Sequence, residues 1–204
     1  MRPHWLSIFL AAFLLIPANL QHAQAAGDSP ESIVAEFQAL LISTMKSADK
    51  TSVRQRYEKL KPGVSAAFHI PLMTQISTGQ YWKPATNDER AQAVLGFTRM
   101  SVSTLATLFD GYGGETFEHR STKDGPSNTR LVITDLVKSD KSTISITYVT
   151  RKFKAGWQIV DVIVDGGISE LMVRRSEYRL VLKERGIPGL ISLLNSKADE
   201  LMSR

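Results

Sequence analysis

The chain has no cysteine in 204 residues, which excludes disulfides, thiolate metal sites and cysteine nucleophiles. Histidine is scarce as well. Only His69 and His119 lie beyond the first 25 residues. Neither has a second histidine four positions away and no His-Glu-x-x-His occurs, so ligand spacing for a metal is missing. No Gly-x-Ser-x-Gly elbow is present, which removes the α/β-hydrolase form of serine catalysis. There is no compact Lys/Arg run interleaved with aromatics, so nucleic acid is a poor partner. The apolar run Trp5 to Ile16 has twelve residues, ~18 Å as a helix against a ~30 Å hydrocarbon core, so it is too short to span a membrane.

What is present begins with that same run. Arg2 supplies a basic start, Pro17 breaks the apolar stretch, and Ala23-Gln24-Ala25 gives the small-x-small pattern that signal peptidase reads. Residues 1–25 therefore read as a cleavable signal peptide cut after Ala25, with residues 26–204 as a single exported domain. Acylation as a lipoprotein would need a cysteine just after the cut, and there is none. Removing 25 residues from 204 leaves 179, enough to bury roughly 70% of the extended-chain surface without disulfide or metal. The lysine and arginine surplus is modest and dispersed, a weak bias toward acidic surfaces or anionic lipid.

Along the chain, Ser29-Pro30 opens a helix whose Ile33, Val34, Phe37, Leu40, Leu41 and Met45 fall on one stripe. A second helix is predicted over Ser52 to Leu60, stopped by Pro62-Gly63. A short one follows near Pro71 to Ile76, then a long one from about Asp88 to Phe109, with Asn87 or Asp88 as its cap. The stretch after Arg99 (SVSTLATLF) carries no charge, so this helix is expected to be contacted on more than one side. The period then changes to two. Phe117 to Thr122, Thr129 to Val137, Ser142 to Phe153 and Trp157 to Asp165 read as four strands. The last, apolar on both faces apart from Gln158 and Asp161, reads as a central strand. Helices over Ser169 to Glu184 and Pro188 to Met202 complete an α+β order: about six helices packed on a curved antiparallel four-stranded sheet.

Chemistry-bearing residues are few. Asp165-Gly166-Gly167 reads as a strand exit with a turn aspartate. Asp161, inside an apolar strand, needs a hydrogen-bonded or charged partner, and one of the later arginines is a candidate. The basic group Arg174, Arg175, Arg179, Lys183 and Arg185 has two readings. One is a solvated helix face with a Glu170–Arg174 pair. The other is a surface for a partner or a lipid head group, because guanidinium matches phosphate and carboxylate geometry.

With these motifs placed, the chain resembles the MlaC-type family of periplasmic lipid carriers, also called the toluene-tolerance auxiliary family. The residues that carry the likeness run from Gly156-Trp157-Gln158-Ile159-Val160-Asp161-Val162 through Asp165-Gly166-Gly167-Ile168-Ser169, then Arg185-Gly186-Ile187-Pro188-Gly189-Leu190-Ile191. Gly79-Gln80-Tyr81-Trp82, Phe97 and Tyr112 follow the same order upstream. Asp165 to Leu171 and Arg174 to Tyr178 look most like the HpnM branch associated with hopanoid biosynthesis. The resemblance implies a nuclear-transport-factor-2-like fold enclosing lipid tails. It also implies an inner-membrane transporter and an outer-membrane lipid-handling complex as partners, with no cofactor and no catalytic residue.

A carrier of hopanoid or glycerophospholipid needs an apolar lining. The helix–sheet interface offers Phe97, Val102, Leu105, Phe109, Ile144, Ile146, Tyr148, Ile159 and Leu171 for it, with Arg174, Arg175 and Arg179 toward a head group or partner. Two other classes compete. An enzyme on the same cone-shaped fold would need an acid/base group deep in the cavity, for which Asp161 and Tyr148 are the candidates. A transporter adaptor would have a filled core.

Overall fold

Three helices start on reciprocal side-chain caps that the sequence spells out. Ser29 and Ser32 exchange hydrogen bonds of 3.1 Å each way at the start of α1 (Pro30–Met45). Ser52 and Gln55 do the same for α2 (Val53–Ala67), and Thr86 and Glu89 for α4 (Asn87–Leu108). Each pair satisfies two amides that the first turn would leave orphaned. The cap of α4 is thus Thr86, not Asn87 or Asp88. Between them, α3 (Ile70–Thr78) is capped by His69, whose Nδ1 accepts from the Leu72 amide at 3.1 Å. The structure, a computed structural model, describes residues 29–165 and 167–203. The expected leader over residues 1–25 and the start near Ala26 lie outside them.

The second helix does not stop at Pro62-Gly63 but continues to Ala67. Proline removes one hydrogen bond on an exposed face, and tertiary packing outweighs that loss. The glycine is there for contact. A Cβ at Gly63 would lie 2.2 Å from Leu40 Cδ2 of α1, so the two helices cross at a distance only glycine allows.

Five strands follow in sequence order, all antiparallel: β1 (Thr116–Asp124), β2 (Thr129–Val137), β3 (Thr143–Phe153), β4 (Gly156–Val164) and the two-residue β5 (Ile168–Ser169). The sheet therefore has one strand more than the four expected, added where the chain turns back before the last helix. β4 is not central. Beyond it only Ile163 and Val164 are paired, with Ser169 and Ile168. Its apolar character has another cause: the α2–α3 junction closes its outer edge, with His69 N–H donating to Ile159 O at 2.9 Å. Bulges at Arg120 in β1 and Val160 in β4 interrupt the registers and add the local twist that curves the sheet.

The last helix, α5 (Glu170–Met202), bends at Gly186, whose φ of 61° and ψ of −160° lie outside helical space. The two terminal helices read from the sequence are the halves of this one kinked element. Five helices are therefore present among the described residues, not six. In the packing, α1 lies on the sheet. α4 sits against α2, α3 and α5 rather than against strands, which accounts for its uncharged surface. At Gly96 a Cβ would meet Leu194 Cβ at 3.3 Å, so α4 and α5 approach closely.

Candidate functional site: an apolar cavity between helices and sheet

Because α4 is held by other helices, the space beneath it is bridged and not filled. A cavity of about 300 Å³ lies there, its wall overwhelmingly apolar. From α4 come Phe97, Ser101, Thr104, Leu105 and Leu108, a single stripe at three- and four-residue spacing, followed by Phe109. From the sheet come Ile146 and Tyr148 of β3, with Val162 and Val164 of β4 directly opposite them in register, and Phe117 of β1. Phe37 and Leu41 of α1, Val64 of α2 with Phe68 just beyond its end, and Ile70 and Met73 of α3 close the deep end. Leu171, Glu170 and Arg174 of α5 frame the other.

Burial locates the opening. Val64, Ile70, Phe97 and Tyr148 are each at most 3% exposed, whereas Leu108 is 69% exposed. The mouth therefore lies between the C-terminal end of α4 and the N-terminal end of α5. The charged residues of the wall, Glu170 and Arg174, stand there.

Six of the nine side chains expected to line an apolar cavity are on this wall: Phe97, Leu105, Phe109, Ile146, Tyr148 and Leu171. Val102, Ile144 and Ile159 are not. Val102 sits about a third of a turn from the α4 stripe and is buried in the helix layer. Ile144 shares the face of Ile146, but β4 ends at Val164 opposite Ile146, so Ile144 has no β4 neighbour to complete a wall. The bulge at Val160 keeps Ile159 on the same face as Val162, but Ile159 is fully buried in the packed core where the α2–α3 junction pairs with β4. The sequence reading missed the contribution of α1, α2 and α3. Their apolar stripes were legible, but nothing in a stripe says that the volume it faces is hollow.

The three arginines do not act together. Arg174 is at the mouth, paired with Glu177 Oε2 at 3.0 Å, and not with Glu170. Arg175 and Arg179 turn to the far side of α5, where the Arg175 guanidinium lies against Gly79. Consecutive helical residues diverge by about 100°, and that separates Arg174 from Arg175.

The polar candidates resolve as architecture. Asp161 has no arginine partner among the described residues. Its Oδ1 accepts from the backbone N–H of Val162 (2.8 Å) and Leu171 (3.1 Å), and its Oδ2 accepts from Ser169 Oγ–H (2.6 Å). Ser169 in turn accepts from Met172 N–H at 3.0 Å. The carboxylate thus extends the cap of α5 from a neighbouring strand and fixes one lip of the cavity mouth. Asp165 is exposed in the left-handed region at φ 51°, its N–H donating to Ser145 O, as a turn aspartate does. Tyr148 is buried on the cavity wall and hydrogen-bonded by Gln38. Burial pushes its hydroxyl up to about 12, so it stays protonated at any ordinary pH.

Comparison with known proteins adds a decisive observation. Residues 35–196 match the family model described as MlaC protein. The chain belongs to the MlaC family. Among solved structures, the MlaC-type chain is similar to the phospholipid-binding protein from Ralstonia solanacearum, which was solved in complex with a phospholipid. The TM-score is 0.71 at 17% identity, over 84% of this chain and 95% of that one. At that identity the likeness speaks for the fold. No curated protein matches.

Proposed function

We propose that this MlaC-family protein is a periplasmic lipid carrier that holds an acyl tail in the cavity beneath α4 and leaves the head group at the α4–α5 mouth. The observation that carries this reading is the cavity itself: a buried, mostly apolar deep end, with the charged groups of the wall, Glu170 and Arg174, at one opening. Covering hydrocarbon removes it from water at ~0.8 kcal/mol per CH₂, so a sixteen-carbon tail represents roughly 12 kcal/mol. An unaided lipid does not leave a bilayer against that cost on a useful timescale, and a soluble protein with such a cavity lowers it without any reacting group. The Ralstonia neighbour, which holds a phospholipid, supports the same cargo class here. In this reading the enclosing fold is the nuclear-transport-factor-2-like cone that the family resemblance implies.

Within this reading the cargo is a glycerophospholipid with an anionic head. Arg174 stands at the mouth, where a phosphate competes with Glu177 for its guanidinium, while the N-terminus of α5 is already capped by Asp161 and Ser169. A neutral hopanoid head, as the resemblance to the HpnM branch would have it, does not need that arginine. The carrier works between an inner-membrane lipid transporter and an outer-membrane lipid-handling complex. Mass spectrometry of organic extracts from natively purified protein tests the proposal. Stoichiometric phospholipid is the expected result and hopanoid would change the cargo. Repeated recovery of lipid-free, folded protein would replace the carrier with a transporter adaptor.

A further inference from the structure

Behind Phe37 lies a second hollow, of about 400 Å³. Phe37 is the one residue on its wall that also stands on the wall of the front cavity. The two helices that meet there divide in the same way. Leu41 and Val64 face the front cavity, while their chain neighbours Leu40 and Gly63 face the rear one. Small side chains make the rear space: any Cβ at Gly63 would push Leu40 inward from 2.2 Å, and Ala66 and Ala67 line the next turn of α2.

The α1 and α2 backbones stand between the two hollows, and the Phe37 ring is the side chain common to both walls. Phe37 packs edge-on against Phe68, at 4.8 Å between ring centroids, and against Tyr148, at 6.3 Å. A phenyl ring has no polar atom to be tethered by, so turning about its side-chain bonds needs no hydrogen bond broken. We propose that the rear hollow is a subsite for the far end of an acyl chain, entered past Phe37 and continuous with the front cavity once that ring swings aside. The inference rests on the carrier reading and specifies its cargo. Ile33, Leu40 and Trp157 offer methylene-compatible surface, the hollow opens to water where Glu36, Ala66 and Ala155 are exposed, and the Glu36 carboxylate disfavours a second anionic group. A flexible chain can bend around the ring. A fused-ring triterpenoid cannot, so the rear hollow selects for acyl lipids.

The test is a chain-length series. Delipidated wild-type protein is titrated with saturated fatty acids of increasing length, in parallel with Ala66→Trp, which plugs the rear hollow from an exposed helical position. Wild type should gain roughly fourfold in affinity per added methylene well beyond the length at which the variant stops gaining. Short chains should bind both equally. Ala155→Trp, from the β3–β4 turn on the same wall, should reproduce the plateau and serves if Ala66→Trp melts early. Superimposable length profiles for wild type and a folded plugged variant would overturn the subsite while leaving the carrier intact. Failure of wild type to bind any chain would overturn the carrier reading itself.

Discussion

Placing an aspartate at Leu105 asks the cavity to hold a charge and a lipid tail at once. Leu105 is half-buried on the α4 stripe, between the deep wall and the mouth. In the empty protein the new carboxylate reaches water through the opening, so the fold should lose only about 1–2 kcal/mol, chiefly the leucine's apolar contacts. With a tail lying across it the carboxylate must be stripped of water, at a cost of several kcal/mol for an uncompensated ion. The contact that leucine made with the tail, about 2 kcal/mol, is lost in addition. Together these weaken lipid binding by at least about a thousandfold, whereas Leu105→Ala should lose roughly tenfold to thirtyfold. The assay is phospholipid per protein by mass spectrometry after native purification, with circular dichroism melts to verify folding. Protonation supplies an internal control. Lowering the pH below about 4 neutralises the aspartate and should restore most of the retention, to the level of the alanine variant. A folded Leu105→Asp protein that co-purifies with a full complement of lipid at neutral pH would show that the tail lies elsewhere.

Three further tests probe the frame around the cavity. Asp161→Ala strands three donors, and at about 1–2 kcal/mol for each bond to a half-buried carboxylate it should cost about 3–6 kcal/mol, or some 6–24 °C in a thermal melt. Asp161→Asn keeps one acceptor oxygen and should cost about half as much. Equal, near-zero effects would refute the cap. Asp165→Asn should leave both the melt and lipid retention unchanged, because asparagine accepts the left-handed backbone as readily; a transport defect with lipid still bound would assign Asp165 a partner. Tyr178, on α5 against Phe97, is fully buried with no hydrogen-bond partner for its hydroxyl among the described residues. Tyr178→Phe should therefore stabilise by about 1 kcal/mol at neutral pH. Burial raises the hydroxyls of both Tyr148 and Tyr178, the former to about 12. The folded state then keeps protons that the unfolded chain releases near 10. Stability is complete below about pH 10 and falls as pH rises from there through 12. Melts between pH 8 and about 11.5 should show a shallower decline in Tyr178→Phe, and an unchanged slope would contradict the assignment.

Much of this architecture was readable from residue patterns. Thr129–Val137 matches β2 at both ends, the other strands differ by one or two residues, and the Ser29 and Ser52 starts are marked by local chemistry. The misreadings share a cause. Pro62-Gly63 looked like a helix stop because its local preferences say so, but the glycine serves a contact with Leu40 that lies twenty-three residues earlier in the chain. The β4 segment looked central because both faces are apolar, and a sequence does not distinguish cover by a strand from cover by the α2–α3 junction. Asp161 announced that it needed a partner, yet the partners are amides and a hydroxyl at the start of α5. Backbone donors of that kind leave no residue-type signature. The arginine trio was a matter of angle: adjacent residues on a helix cannot share a face, and that alone separates Arg174 from Arg175.

The hollow itself is a consequence of which surfaces were given small residues. Ala93, Gly96, Ser103 and Ala106 are buried on the sides of α4 that meet other helices, and they let it settle closely onto them. The α4 side toward the sheet carries Phe97, Leu105 and Leu108, which face Ile146 and Val162 across the hollow they line together. A helix held tightly on its flanks cannot sink to fill the space beneath it. The gap is therefore maintained by helix–helix packing, not by strain in the sheet. This explains how an apolar cavity of this volume persists in a fold that would gain by collapsing it. It also explains why the Asp161–Ser169 cap matters to function: it pins the start of α5, and with it Leu171 and Arg174, so that the mouth stays open at the one end where polar groups can meet a head group.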